Sequence, residues 1–277
     1  MKILGDYHTH TVYSDGKASV IEMVRAARER GLEEVAVSDH SMGKITQALR
    51  RKSFDKMCGE IESARSEMPV LIGIEANVVS TNGDIDVDEN MRKKLDIVLL
   101  GVHVLVFYSF RSMFTFYLPN MLFRFFRFFP KYQVRYNTKV VKRAIEKNDI
   151  DIWTHPNKYF KLDVVEVAKT CAERGTLVEL NGKSISFRPI DFERMAATGA
   201  KFIINSDAHS VKRVGDIARV EEFLKNCDFD PSNIINLNQT WTQYKKGELN
   251  EDDVPLRNQE RDIEPETKRR GFFSRRG

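Results

Sequence analysis

A chain of 277 residues with 42% hydrophobic and 30% charged side chains carries enough apolar material for a substantial core, which excludes disorder for most of its length. Its formal net charge of +4 is small for this size, so whole-molecule charge makes no case for nucleic acid and any electropositive function must be local. Cys58, Cys171 and Cys227 are widely spaced, odd in number and form no Cys-x-x-Cys, which points to reduced packing thiols in a cytosolic protein.

In chain order, short apolar runs alternate with amphipathic helical stretches at a spacing of roughly 30 residues, the pattern of repeated βα units. Strands are predicted over residues 3–8, 35–39, 70–76, 97–103, 150–154, 177–181 and 202–206, and helices over 19–30, 54–68, 138–147, 164–174, 190–198 and 216–225. Gly31, Gly175 and Gly199 stand where helix C-caps are needed. The first strand begins at Lys2-Ile3-Leu4 without the apolar stretch of a secretory signal, so a cytoplasmic location is expected. Strict βα alternation favours a parallel sheet, and six of the strand runs end in residue types that bind metals, His8 and His10, His40, Glu75, His103, His155, and Asp207 with His209, which can meet only if that sheet curls. The expected fold is therefore α/β: a distorted (β/α)7 TIM-like barrel over residues 1–249, with a metal cluster at the C-terminal ends of its strands.

Two segments break the pattern. Residues 97–145 hold eight Lys or Arg and no Asp or Glu, and nine of the eighteen phenylalanines fall between Phe107 and Phe129. Interrupted by Arg111, Pro119, Arg124 and Arg127, this run is too short and too charged to span a membrane. An insertion at about 104–137 is expected on the face where the strands end. Three readings are open for it: a subdomain or dimer contact, a lid whose arginines reach phosphate, or a peripheral contact with an anionic membrane through 107–129. Aromatic and arginine side chains could also stack on single-stranded nucleic acid, but nothing here resembles a dedicated binding fold. From 250 to 277 the chain mixes charges of both signs without apolar periodicity and reads as a disordered tail.

The chemistry lies in the polar residues that close the apolar runs. All six histidines sit there: His8 and His10 in Asp-Tyr-His-Thr-His-Thr, His40 in Ser-Asp-His, His103 in Gly-Val-His, His155 in Thr-His-Pro and His209 in Ser-Asp-Ala-His. Glu75 and Asp207 share that placement, and Asp15 lies in the turn before the first helix. Histidines two apart in a strand point to one side. Nine groups of this kind exceed the needs of one tetrahedral zinc and suit two or three divalent ions, with zinc, manganese and iron all accepting such mixed donors. Asp6 and Asp39, each near a histidine, are candidates for outer carboxylates that orient imidazoles.

These motifs, in this order over about residues 1–215, resemble the PHP family, named for polymerase and histidinol phosphatase, in its stand-alone phosphoesterase branch. The resemblance implies that His8, His10, Glu75 and Asp207 bind a first metal, that Glu75, His103 and His155 bind a second, and that Asp15, His40 and His209 bind a third. Asp15 stands where some members carry histidine. The resemblance also implies hydrolysis of a phosphoester, with Glu75, Asp207 and His209 central to catalysis and a metal-bridging hydroxide attacking phosphorus in line. No serine or cysteine nucleophile motif is present, so no phosphoenzyme is expected. Lys44, Lys158, Lys183 and Arg213 lie just after predicted strand ends and are the cationic candidates for phosphate. The expected substrate is a small phosphomonoester such as histidinol phosphate, a nucleotide or a sugar phosphate. The alternatives are a phosphodiesterase or nuclease, and a non-catalytic scaffold stabilised by metals. Oligomeric state is left open.

Overall fold

The computed structural model describes residues 1–43 and 49–248, so Lys44 and the tail read at 250–277 lie outside the described residues. Seven strands run in sequence order through one parallel sheet: β1 (Gly5–Asp6), β2 (Glu34–Val37), β3 (Val70–Asn77), β4 (Ile97–Gly101), β5 (Ile152–Trp153), β6 (Leu177–Asn181) and β7 (Phe202–Asn205). The ends of the sheet meet just beyond β1. Thr9 bridges Ala208, the His10 N–H donates to the Ala208 carbonyl at 2.8 Å, and the Ala208 N–H donates to the His8 carbonyl at 3.2 Å. The result is a nearly closed seven-stranded barrel of the distorted TIM type, as expected.

Strand alternation explains both the core and the site. Tyr7, Ala36, Ile97, Leu99, Ile152, Leu177 and Ile203 form one apolar cluster inside the barrel, closed off by Ile235 and Trp241. Their neighbours Val35, Val37, Val98, Leu100, Val178, Leu180, Phe202 and Ile204 belong to a second cluster, packed against the helices. Side chains two apart share a face. On β6, the face that carries Leu177 also carries Glu179 and Asn181, and on β3 the face of Leu71 carries Glu75 and Asn77. On both of these strands the inward face turns from apolar to polar toward the C-terminal end.

The outer layer comprises α1 (Val20–Glu29), α2 (Arg51–Ala64), α3 (Glu89–Arg92), α4 (Phe110–Ser112), a π-helical turn at Met113–Tyr117, α5 (Leu118–Phe125), α6 (Lys131–Lys147), α7 (Val164–Arg174), α8 (Pro189–Ala196), α9 (Ala218–Leu224) and α10 (Trp241–Glu248). Local sequence sets several ends. Glu22 accepts from the Ser19 N–H at 2.8 Å at the start of α1, and the Asp163 carboxylate accepts from the N–H groups of Val165 and Glu166 at the start of α7. Gly31, Gly175 and Gly199 take the left-handed conformation past α1, α7 and α8. The expected helix at 138–147 begins earlier, at Lys131, because Pro130 starts it and its first turns are tied inward. Gln133 donates to Asn137 Oδ1 at 3.0 Å, and Asn137 exchanges amide hydrogen bonds with Asn120 of α5 at 2.7 and 2.8 Å.

A candidate metal centre at the barrel mouth

All nine predicted donors converge at the C-terminal end of the barrel. Four overlapping groups have donor atoms mutually within 4.8 Å: His10, Asp15, His40 and His209; His8, His10 and Asp207; His8, Glu75 and His155; and His40, Glu75 and His103. Glu75 lies at the middle. Its Oε1 is 2.8 Å from His155 Nε2, 3.3 Å from His103 Nε2 and 3.4 Å from His8 Nε2, while its Oε2 is 2.8 Å from His40 Nδ1. The partition differs from the expected one. His103 and His155 fall into separate groups, each with Glu75, although their Nε2 atoms are only 3.2 Å apart, and His10 joins Asp15, His40 and His209.

The backbone is bent to make this convergence. His155 and Asp207 have φ of 29° and 54°, in the left-handed region that residues other than glycine rarely occupy, so the chain turns sharply where β5 and β7 deliver their donors. Gly101 serves the same end differently. A Cβ there would meet His103 Cε1 at 2.2 Å and Glu75 Oε1 at 3.0 Å, so a side chain at the end of β4 would displace the ring it positions.

The imidazoles are oriented by partners that sequence reading missed. His8 Nδ1 lies 2.6 Å from Glu179 Oε1, and His103 Nδ1 lies 2.6 Å from Asn77 Oδ1. An amide oxygen can only accept, so His103 carries its proton on Nδ1 and turns the lone pair of Nε2 inward. Glu179 also accepts from the His155 N–H at 2.7 Å and from the side-chain amides of Asn181 and Asn205 at 2.9 and 3.0 Å. The signal for both was the strand alternation: Glu179 and Asn77 share inward faces with Leu177 and Glu75.

Asp6 and Asp39 act on the backbone instead of on the imidazoles, which corrects the expectation for them. Asp6 accepts from the N–H groups of Ser206 and Gly215 and from the Ser206 hydroxyl. Asp39 accepts from the Thr11 N–H at 2.8 Å and from the hydroxyls of Thr11 and Ser14. Each carboxylate stitches together two loops that bear donors.

Electrostatically, the site is a set of acceptors in want of a cation. His8 Nε2 and both ring nitrogens of His10 are buried with no hydrogen-bond partner. Polar atoms left this way are costly unless something occupies the space among them. Burial opposes charge on Glu75, yet His103, His8, His40 and His155 hold its carboxyl well below the usual range. Asp207, also buried, is held low by His8, Lys158, His10 and Lys183. Burial drives His10 well below the ordinary histidine range and His103 down to about 3, so both stay neutral donors. Ionised carboxylates beside the neutral imidazoles of His10 and His103 match the needs of divalent ions.

Of the three cationic candidates among the described residues, two reach this centre. Lys158 Nζ is 3.2 Å from Asp207 Oδ2, and Lys183 Nζ is 3.6 Å from Asp207 Oδ1 and 3.3 Å from His209 Nε2. Arg213 is placed elsewhere: its guanidinium pairs with Asp216 at 2.5 Å and lines a separate cleft with Gly182, Ile185 and Phe223. The short 3-10 turn at Val211–Arg213 carries it away.

The model of the PHP domain matches residues 6–182, well over half of the chain. The chain belongs to the PHP domain family. Its curated relatives include a probable phosphatase from Proteus mirabilis, 29% identical over 241 residues that cover 83% of this chain and 89% of the relative. A probable phosphatase from Photobacterium profundum is 30% identical over 246 residues, covering 85% and 90%. Among solved structures, histidinol phosphate phosphatase from Lactococcus lactis, complexed with zinc, L-histidinol and phosphate, shares the fold with a TM-score of 0.54 at 15% identity, covering 83% of this chain and 95% of that one. A putative histidinol phosphatase from Listeria monocytogenes gives a TM-score of 0.53 at 17% identity, covering 80% and 100%. The PHP match ends before β7, so Asp207 and His209 enter the site through the fold and not through the matched segment.

Proposed function

We propose that this PHP protein is a metal-dependent phosphatase that hydrolyses a small phosphomonoester. The observation that carries the reading is the convergence of six histidines, Asp15, Glu75 and Asp207 on one barrel mouth with ring nitrogens left unsatisfied. The relatives named as probable phosphatases support the reaction class, and the solved histidinol phosphatase with zinc and phosphate supports both the metal requirement and the substrate class.

His8, His10 and Asp207, with Glu75, would hold one ion; Glu75, with His155 and His103, would share in a second; and Asp15, His40 and His209 would hold a third. Divalent ions in such a site polarise phosphoryl oxygens and bring water toward ionisation near neutral pH. The protein's own part is to place charge. Glu75, buried at the centre, keeps the donor set together; Glu179 and Asn77 hold the rings of His8 and His103; and Lys158 and Lys183 bring two ammonium groups to the mouth, where a phosphate enters. His209 is the most open of the histidines and sits beside Lys183.

The test is phosphate release from a panel of phosphomonoesters, including histidinol phosphate, nucleotides and sugar phosphates, beside bis(p-nitrophenyl) phosphate. Turnover of one monoester class supports the reading and names the substrate. Turnover of the diester alone replaces it with a phosphodiesterase.

A further inference from the structure

The segment between β4 and α6 is apolar on both sides, unlike an ordinary surface helix, with Met113, Tyr117 and Met121 packed against the core and a further apolar ridge facing out. Its inward face carries Ser112, Phe116 and Asn120, four residues apart and all buried. Asn120 is bonded to Phe116 and Asn137, and Phe116 packs edge-on against Phe160 and Tyr108. The outward face carries Phe110, Phe114, Leu118, Leu122 and Phe125, with Phe110 and Phe125 83% and 80% exposed. A soluble helix places its apolar stripe inside. Spacing by four drifts around an ordinary α-helix, and the wider π turn at Met113–Tyr117 holds the ridge on one side. Of the fourteen exposed large hydrophobics among the described residues, ten lie between Leu105 and Tyr132. A concentration of this kind marks a contact surface.

From this ridge and its charge, we propose that α4, the π turn and α5 form a docking surface for an anionic lipid bilayer. Arg111, Arg124, Arg127, Lys131 and Arg135 are all exposed along the same segment, which contains no carboxylate from 97 to 145. Phenylalanines and leucines on the outside, flanked by arginines, suit the acyl boundary and headgroups of such a surface. A second copy fits poorly, because a two-fold contact would set this cationic segment against itself. The segment lies at the barrel mouth: the Tyr108 hydroxyl donates to the His103 carbonyl at 2.8 Å, and Arg124 donates to the carbonyls of Lys158 and Tyr159 at 3.3 and 3.2 Å. Docking would hold the metal centre close to the lipid headgroups. No described helix is long and apolar enough to cross a membrane, so the contact is peripheral.

Flotation of the full chain with vesicles of phosphatidylcholine, alone or mixed with phosphatidylglycerol, tests this without reference to catalysis. Recovery with the anionic vesicles only, falling as salt is raised, is expected. Arg111→Ala with Arg127→Ala weakens partitioning by about twenty-five-fold, roughly fivefold per charge removed. Phe110→Ser with Phe125→Ser abolishes it while the thermal midpoint is kept. The fluorescence of Phe125→Trp shifts to the blue on anionic vesicles, against a background in which Trp153 and Trp241 are buried. The proposal is overturned if neither vesicle recovers the protein, if the serine variant floats as well as the parent, or if light scattering without lipid shows a dimer that the serine variant dissolves. The last result would assign the ridge to contact between copies.

Discussion

His8 and Glu179 are joined across the barrel, Nδ1 to Oε1, at 2.6 Å with both side chains wholly buried. The carboxylate turns His8 Nε2 toward Glu75 and Asp207, 3.4 and 3.9 Å away. Glu179 is therefore a positioning residue, one layer below the donors. Glu179→Gln retains the volume but offers an amide N–H where four donors already point, so metal affinity falls by about 10- to 100-fold. Titration of the stripped protein with zinc or manganese, followed by calorimetry, measures this. An unchanged affinity would show that His8 is held by packing alone.

Gly101 gives a second handle. Because a Cβ there would lie 2.2 Å from the His103 ring, Gly101→Ala is expected to cost at least about tenfold in metal occupancy, with fold and far-ultraviolet circular dichroism retained. Metal content by mass spectrometry after dialysis provides the check. Full occupancy would mean that His103 has room to step aside.

Lys158 and Arg213 were equal candidates in the sequence and are unequal in the structure. Lys158 faces Asp207, while Arg213 is engaged by Asp216. Replacing Lys158 with Gln removes a charge-assisted hydrogen bond to phosphate and should raise KM by roughly tenfold or more; Arg213→Gln should leave KM within about twofold. Steady-state kinetics on the best substrate decides it, and the opposite ranking would move the phosphate to the cleft beside α9.

Acid should destabilise the metal-free protein. Burial holds His10, His103 and His155 below the ordinary histidine range, while His8, despite its burial, is held well above it by Glu179, Glu75 and Asp207. The three depressed rings stay neutral in the fold and protonate in the unfolded chain, so stability declines as pH falls below about 6.5. His8 works the other way, its contribution being complete in acid and lost as pH rises through its folded value. Glu75 and Asp207 are depressed carboxylates, whose contribution is present above the unfolded value and is lost as pH falls further. Three histidines against one predict a denaturant midpoint lower at about pH 5 than at about pH 7.5. A midpoint that rises in acid would mean that His8 dominates.

The convergence of the nine groups was legible because imidazoles and carboxylates at strand ends have few other reasons to recur. The barrel was legible from βα alternation, although β1 stops at Asp6, since the chain from Tyr7 to His10 bends to meet Ala208 and leaves the regular ladder. Glu179 and Asn77 were not singled out, because one charge or amide within an apolar strand looks local until register shows which ring it meets. Asn120 and Asn137 were missed for the same reason: an amide pair 17 residues apart is visible only once α5 and α6 lie side by side. Arg213 was misplaced because proximity in sequence to a strand end does not set the direction in which a short turn aims a side chain.

The most direct test of the account is phosphate release by the stripped protein before and after reloading with zinc, manganese or iron, with Glu75→Gln as the control. Activity that appears only on reloading, and falls by more than about a hundredfold in the variant, is the predicted result. Equal release by the stripped parent, or by a reloaded Glu75→Gln protein, would contradict a metal centre organised around Glu75.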